Sequence, residues 1–119
     1  TGVQTCALPI SHPTELMKKQ ARQLVAAGAD AIIGSHPHVI EDHEMITSPD
    51  RASVPVFYSL GNLLFDQYFS PETMKGNIVE LTIRKGFDGR PVIERVRTYE
   101  TSIASEKDVE ITAGPSDIQ

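Results

Sequence analysis

The sequence lacks tryptophan, has a single cysteine and contains no long apolar segment. A lone Cys6 cannot form an intramolecular disulfide or a cysteine metal site, which excludes a disulfide-rich fold and a zinc-finger type of site. No apolar run approaches the ~20 residues that a membrane-spanning helix needs. The first residues also lack the basic and apolar regions of a signal peptide. With 119 residues, the chain is long enough for one small domain with its own core.

Basic residues are in the minority in this sequence. It has 11 lysines and arginines and 16 aspartates and glutamates, which leaves a formal net charge of −5. Because binding to nucleic acid needs a basic surface, we expect no nucleic-acid partner. The hydrophobic share of 39% and the charged share of 23% are ordinary for a globular protein. A metal site remains compatible with the net charge, since the local charge matters more there than the total.

Two terminal segments differ from the rest of the sequence. Residues 1–11 have no initiator methionine, no periodicity and no helix cap, and we interpret them as a foreign leader, such as a translated adapter or a cloning scar. Residues 113–119 are mostly polar and are expected to form a disordered or shortened tail. We therefore expect the fold to lie within residues 12–112.

One amphipathic helix is predicted after the leader, by the pattern "HPTELMKKQARQLVAAGAD" at residues 12–30. Thr14 is the expected N-cap, and Gly28 is the expected stop at the C-terminal end. We expect the helix to pack on a sheet. Its predicted buried face comprises Met17, Ala21, Leu24 and Gly28, with Leu16 and Val25 beside it.

Short apolar runs predict strands after the helix. Residues 29–34, "ADAIIG", predict a short buried strand. Residues 43–47 and 54–60 predict two further strands, which are separated by turn-forming residues at 48–51. A helix, a tight turn and an apolar strand in succession form half of an α/β unit, so the predicted fold class is α/β.

A β-hairpin is predicted in the second half of the chain. Residues 77–86 and 91–100 alternate apolar and polar side chains around Asp88-Gly89, the expected turn. The apolar residues of the two strands should face each other, in a register that the sequence leaves open. They are Ile78, Val79, Leu81 and Ile83 in the first strand, and Val92, Ile93 and Val96 in the second.

Two histidines flank a proline directly after the first predicted strand, in "GSHPHVI". Proline biases the preceding residue toward extended backbone, so His36 is expected to be extended. Residues i and i+2 of an extended chain project to the same side, so the rings of His36 and His38 are expected to point into one cleft. Neutral imidazole is the commonest metal ligand, and ligands of α/β sheets bind beyond the carboxyl ends of strands. Gly34 and Ser35 are expected to let the backbone turn there.

The same pattern also fits a surface loop with two incidental histidines. Two histidines alone do not complete a metal site, which needs about four ligands. The charged side chains that follow are either further ligands or solvated loop residues; they are Glu41, Asp42, His43 and Glu44.

A second unusual stretch is "FYSLGNLLFDQ" at residues 57–67. Gly61-Asn62 ends a predicted strand, and the amide of Asn62 can both donate and accept hydrogen bonds. Asp66 follows a short apolar run. The stretch is either a strand-ending turn in which Asn62 bonds its own backbone, or a loop that lines the histidine cleft with Asn62 and Asp66.

Together, "AGADAIIGSHPHVI" and the later "VPVFYSLGNLLFDQ" closely resemble the CapA family of capsule-biosynthesis proteins, also called the poly-γ-glutamate synthesis family. The helix pattern resembles that family too, and the resemblance covers about residues 13–83. The family in turn resembles a branch of the calcineurin-like metallophosphoesterases.

The resemblance implies a four-layer α/β/β/α sandwich that holds two divalent metal ions. Gly34, His36 and His38 match the last ligand motif of that fold, so the resemblance implies that the two histidines are metal ligands. The earlier ligand motifs, an Asp-x-His, a Gly-Asp, a Gly-Asn-His and a further His, are not found in this sequence. The resemblance therefore implies the C-terminal part of a longer metallophosphoesterase-like domain.

Two functions are compatible with the resemblance. The first is a metal-dependent phosphoesterase-type site, in which two metal ions activate a water molecule. We expect this fragment by itself to be inactive. The alternative is a non-catalytic cell-envelope component for polymer assembly or export, and an α/β domain without any site is a third, weaker possibility. The resemblance also implies the capsule or poly-γ-glutamate synthesis machinery as partner. It implies a location in the cell envelope, with any leader or membrane anchor in the preceding part of the protein.

Overall fold

The computed structural model describes residues 11–49, 51–105 and 108–118. The chain begins with helix α1 (Glu15–Ala27), followed by strands β1 (Ile32–Ile33), β2 (His43–Ser48) and β3 (Arg51–Phe57). A 3₁₀ helix (Pro71–Met74) then precedes three longer strands, which are β4 (Lys75–Lys85), β5 (Pro91–Ser105) and β6 (Asp108–Ile118). The leader prediction falls on residues 1–11, of which 1–10 lie outside the described residues.

Helix α1 begins and ends where the sequence predicts. The hydroxyl of Thr14 accepts a hydrogen bond of 3.2 Å from the backbone N–H of Met17, and this satisfies a free donor of the first turn. Gly28 closes the helix with a φ of 114°, a left-handed conformation that glycine adopts without a steric penalty. The predicted caps are therefore confirmed.

The buried face of α1 is narrower than predicted. Ala21 and Val25 are buried and Met17 packs beside them, which gives a stripe with i, i+4, i+8 spacing. The prediction that Leu24 is buried is wrong, since Leu24 is 52% exposed, and Leu16 beside the predicted face is 64% exposed. The helix lies against a sheet of only three strands, so one stripe of side chains is enough to cover the contact.

The first sheet has the strand order β1-β3-β2. Strand β1 is parallel to β3, with Ile32 opposite Val56, and β2 is antiparallel to β3. The sequence predicts these two strands and the turn between them but not their pairing. Val56 at the centre is fully buried. Strand β3 covers Arg51–Phe57, three residues earlier than predicted at both ends, and pairing in the same register continues past it to a bridge between Ile40 and Leu60.

The second sheet has the antiparallel order β4-β5-β6. Its first two strands form the predicted hairpin, with a turn closed by a 2.7 Å bond from the Gly86 N–H to the Arg90 carbonyl and with a positive φ of 83° at Gly89. The register pairs Leu81 with Val96 and Ile83 with Ile93.

Strand β6 corrects the prediction of a disordered tail. Residues 113–118 belong to β6, where Ser116 pairs with Thr98 and Ile118 pairs with Val96. Most of these side chains are exposed, so the strand is stabilised mainly by backbone hydrogen bonds to β5. Its side chains do not alternate between buried and exposed positions. The sequence pattern could not reveal such a strand.

The two sheets are joined directly by main-chain hydrogen bonds. The Asn62 N–H donates to the Lys75 carbonyl at 3.1 Å, and the Asn77 N–H donates to the Leu60 carbonyl at 2.7 Å. Between them Gly61 and Gly76 form a bridge. The fold is therefore mixed α/β with two sheets, and one α-helix among the described residues, which confirms the predicted class.

The four-layer sandwich implied by the resemblance stays an expectation.

Within the described part of the chain, neither the α-helix nor the 3₁₀ helix is long and apolar enough to cross a membrane.

Candidate metal site

The two histidines of the first motif lie close together beyond the carboxyl end of β1. The centroids of the His36 and His38 rings are 6.2 Å apart, and the ring planes make an angle of 52°. His36 is exposed and His38 is half-buried. The two rings are thus neighbours, while their shared cleft and their role as a ligand pair stay predictions.

The backbone of this segment differs from the prediction. His36 has a φ of 107° and His38 a φ of 62°, so the prediction of an extended His36 is wrong. These two are the non-glycine residues with positive φ among those described. Positive φ costs a residue with a Cβ about 1–3 kcal/mol and persists only where the surroundings impose it. The preference of a residue before proline for extended backbone is therefore outweighed at His36 by the conformation of the segment that connects β1 to β2.

The second motif meets the first through Asn62. Strands β1 and β3 are parallel, so the segments after their carboxyl ends emerge at the same edge of the sheet. His38 Nδ1 and Asn62 Oδ1 are 2.9 Å apart, and Asn62 Nδ2 donates a 2.8 Å hydrogen bond to the main-chain carbonyl of Thr73. Asn62 itself is only 6% exposed. Its side chain therefore links the histidine loop to the 3₁₀ helix, and does not bond its own backbone as the turn reading predicted.

Phe65 is a contact that the sequence reasoning missed. Its ring centroid lies 4.7 Å from that of His38, with an angle of 33° between the planes. An aromatic side chain three residues after Asn62 in the same motif was the available signal. The His38 ring therefore has two neighbours, Phe65 and Asn62.

Gly34 is needed for a reason other than the predicted turn. A Cβ added to Gly34 would lie 2.1 Å from the carbonyl oxygen of Tyr58. The backbone N–H of Gly34 also donates a 2.7 Å hydrogen bond to the Phe57 carbonyl. Close approach of two backbones, and not a positive φ, requires glycine here. Ser35 is exposed beside the histidines.

Asp66 lies outside the His38–Asn62 contact. It is exposed and lines an open depression of about 500 Å³ together with Leu64, Phe65 and Tyr68. Across residues 11–49, 51–105 and 108–118, no group of three or more His, Cys, Asp or Glu side chains is arranged to hold a metal ion. The described chain thus brings together two imidazoles, without a third ligand of these types.

Three of the four charged residues after the histidines have partners elsewhere. Asp42 lies 3.2 Å from the His12 ring nitrogen, the His43 ring stacks on Phe57 at 5.4 Å, and Glu44 accepts a hydrogen bond from the hydroxyl of Tyr58. Burial, followed by this bond to the carboxylate, raises the pKa of the Tyr58 phenol. These contacts favour structural roles for the three residues.

Glu41 is the exception, because it is a buried carboxyl group. It is 5% exposed, and its Oε2 has no hydrogen-bond partner among the described residues. Burial raises its pKa above the ordinary carboxyl range, the nearby charge of Asp42 raises it further, and His12 opposes both.

The sequence comparisons agree with the two motifs. The sequence model of the family described as "Bacterial capsule synthesis protein PGA_cap" matches residues 10–67, which include both motifs, α1 and the first sheet. The PGA biosynthesis protein CapA of Bacillus subtilis is 34% identical over 97 residues, which are 82% of this chain. The chain belongs to the CapA family.

A second CapA relative supports the same assignment. The capsule biosynthesis protein CapA of Bacillus anthracis is 40% identical over 57 residues, or 48% of this chain. The chain spans 24% of the Bacillus subtilis CapA and 13% of the Bacillus anthracis CapA. No solved structure gives a significant match.

Proposed function

We propose that this chain carries part of a metal-dependent phosphoesterase-type site in a CapA protein of capsule or poly-γ-glutamate synthesis. His36 and His38 are the proposed metal ligands. The observation that carries the proposal is the pairing of the two rings at the edge where β1 and β3 end, with His38 bonded to Asn62. The metal ions, when bound, would supply a water molecule activated at neutral pH and positive charge opposite a phosphate ester.

The residues present fit part of such a metal shell. Imidazole nitrogen is a good ligand for zinc, iron, nickel or copper, and a ligand histidine commonly makes a hydrogen bond through its other ring nitrogen. His38 has this arrangement, since its Nδ1 faces Asn62. The remaining ligands, including any carboxylate, are proposed to come from the part of the CapA protein that this chain does not span.

The alternative function is a non-catalytic envelope component that serves polymer assembly or export. Its support is that the matched relatives are named for polymer biosynthesis and not for a hydrolytic reaction. In either case we propose the capsule or poly-γ-glutamate synthesis machinery as the partner and the cell envelope as the location, because the matched relatives are named for that synthesis.

A metal titration tests the proposed ligands. Addition of Zn²⁺ to the ¹⁵N-labelled chain should shift the ring resonances of His36 and His38 together, and His36→Ala should weaken the effect at His38. His43→Ala is the matched control, because the ring of His43 stacks on Phe57 and lies outside the pair. Equal shifts in wild type and His36→Ala would contradict shared coordination.

An activity assay then separates the two functions. The chain by itself should hydrolyse a generic phosphate ester, with Mn²⁺ or Zn²⁺ added, no faster than the free metal, because two imidazoles leave a divalent ion weakly held. Turnover well above that background and lost in His36→Ala would show a complete site in this chain. The intact CapA protein should turn over the ester if the site is catalytic, and should not if the assembly role holds.

A further inference from the structure

We propose that Asn62 is a positioning residue that holds His38 in the tautomer with hydrogen on Nδ1 and a free lone pair on Nε2. The inference starts from the two hydrogen bonds of the Asn62 amide. Its consequence for metal binding rests on the proposed function, whereas the tautomer itself does not.

The orientation of the Asn62 amide follows from its second partner. The main-chain carbonyl of Thr73 can only accept a hydrogen bond, so the amide nitrogen of Asn62 must face it at 2.8 Å. The amide oxygen then faces the His38 ring, where it lies 2.9 Å from Nδ1. Flipping the amide would place two acceptors, the Asn62 oxygen and the Thr73 carbonyl, against each other and leave that buried carbonyl without a donor.

The tautomer of His38 follows from that orientation. An amide oxygen has no hydrogen to give, so the contact is a hydrogen bond only if Nδ1–H donates. A neutral imidazole carries one hydrogen, so Nε2 keeps its lone pair and is the nitrogen that can bind a metal ion. Free neutral histidine prefers the opposite tautomer, with hydrogen on Nε2, which makes the bond to Asn62 necessary for this outcome.

The surroundings of Asn62 make it a fixed support. Its side chain is buried, and its own N–H bonds to the Lys75 carbonyl, so the residue is held by β4 on one side and by the 3₁₀ helix on the other. The backbone of His38 has a positive φ, and its ring also contacts Phe65. The backbone conformation of His38, the contact with Phe65 and the hydrogen bond to the Asn62 amide oxygen therefore fix the orientation of the ring. Such an arrangement is expected of a metal ligand that is preorganised before the metal ion binds.

The ¹⁵N shifts of the His38 ring test this inference without any metal. In the neutral wild-type chain, long-range ¹H–¹⁵N correlation spectra should show hydrogen on Nδ1. Asn62→Ala should move most of the population to Nε2–H, and Asn62→Asp should retain Nδ1–H, because its carboxylate still accepts. Asn77→Ala is the matched control, since it removes the same side chain from β4, where Oδ1 has no hydrogen-bond partner among the described residues.

A Zn²⁺ titration of the same four proteins gives the second readout. Loss of a supporting hydrogen bond typically weakens a metal site about 10- to 100-fold, so Asn62→Ala should weaken Zn²⁺ binding by that factor and Asn77→Ala should not. If His38 is in the Nε2–H form in the wild type, the inference is overturned, whatever the metal result. If Nδ1–H is present and depends on Asn62 but no variant binds Zn²⁺, the positioning role stands and the proposed metal site fails.

Folding of the variants is checked by their amide spectra. Asn62→Ala and Asn62→Asp both remove the donor to the Thr73 carbonyl, which destabilises the chain. The wild-type tautomer still decides the question, because hydrogen on Nε2 in the wild-type chain overturns the inference whatever the variants do.

Discussion

The two sheets of this chain are stabilised in different ways. The first sheet has a core in which Val54, Val56 and Tyr58 pack against Ala21 and Val25 of the helix. The second sheet buries Val96 and Ile103 of β5, but its long paired strands leave other apolar side chains exposed, at Ile78, Ile83 and Ile111. The histidine pair lies on the first sheet, where a packed core determines where the strand ends lie. The comparison teaches that backbone pairing extends the second sheet well beyond its few buried side chains, whereas a site needs strand ends fixed by side-chain packing.

The largest difference is expected between the glycine that follows β1 and the glycine in the hairpin turn of the second sheet. Gly34→Ala should destabilise the chain by about 3 kcal/mol, because its Cβ would meet the backbone of Tyr58 at 2.1 Å and backbone cannot move aside. Gly89→Ala in the turn of the second sheet should cost about 1–2 kcal/mol, since only its positive φ is unfavourable there. Urea unfolding measures both changes, and equal costs would break the comparison.

A smaller difference is expected between valines of the two sheets. Val56→Ala should cost about 2 kcal/mol, because Val56 is 0% exposed and the lost methyl groups leave a cavity. Val92→Ala on the half-buried surface of β5 should cost less than about 1 kcal/mol. The measurement is again urea unfolding, with one common m value, the slope of the unfolding free energy against urea concentration, used for all variants. A cost at Val92 as large as that at Val56 would show that tight side-chain packing in the second sheet extends beyond Val96 and Ile103 to the hairpin end.

The smallest expected effect concerns the charge on Glu41. Because burial raises the pKa of Glu41 in the folded chain, the folded state binds this proton more tightly than the unfolded state. Its contribution is therefore most favourable at acidic pH and is lost as the pH rises through the raised pKa. Glu41→Gln should thus unfold at a higher temperature than wild type at neutral pH, with the difference vanishing in acid.

The control for this prediction is Glu100→Gln, which makes the same charge change at an exposed position of β5. Thermal unfolding followed at several pH values distinguishes the two variants. A stabilisation by Glu41→Gln that persists unchanged in acid would contradict the proposed cause.

Local pattern in the sequence determined the caps of the helix, the turn at Gly89 and the two motifs by which the family is known. Those features depend on neighbours within a few residues, such as the Thr14 hydroxyl and the Met17 N–H. Only the tertiary structure decided the positive φ of His36, the use of Asn62 as a partner of His38 and the pairing of residues 113–118 with β5. Each of these depends on groups distant along the chain. The packing of the two sheets determines which residues become hydrogen-bond partners or pair in a strand. The amino-acid types of these residues alone do not predict those partners.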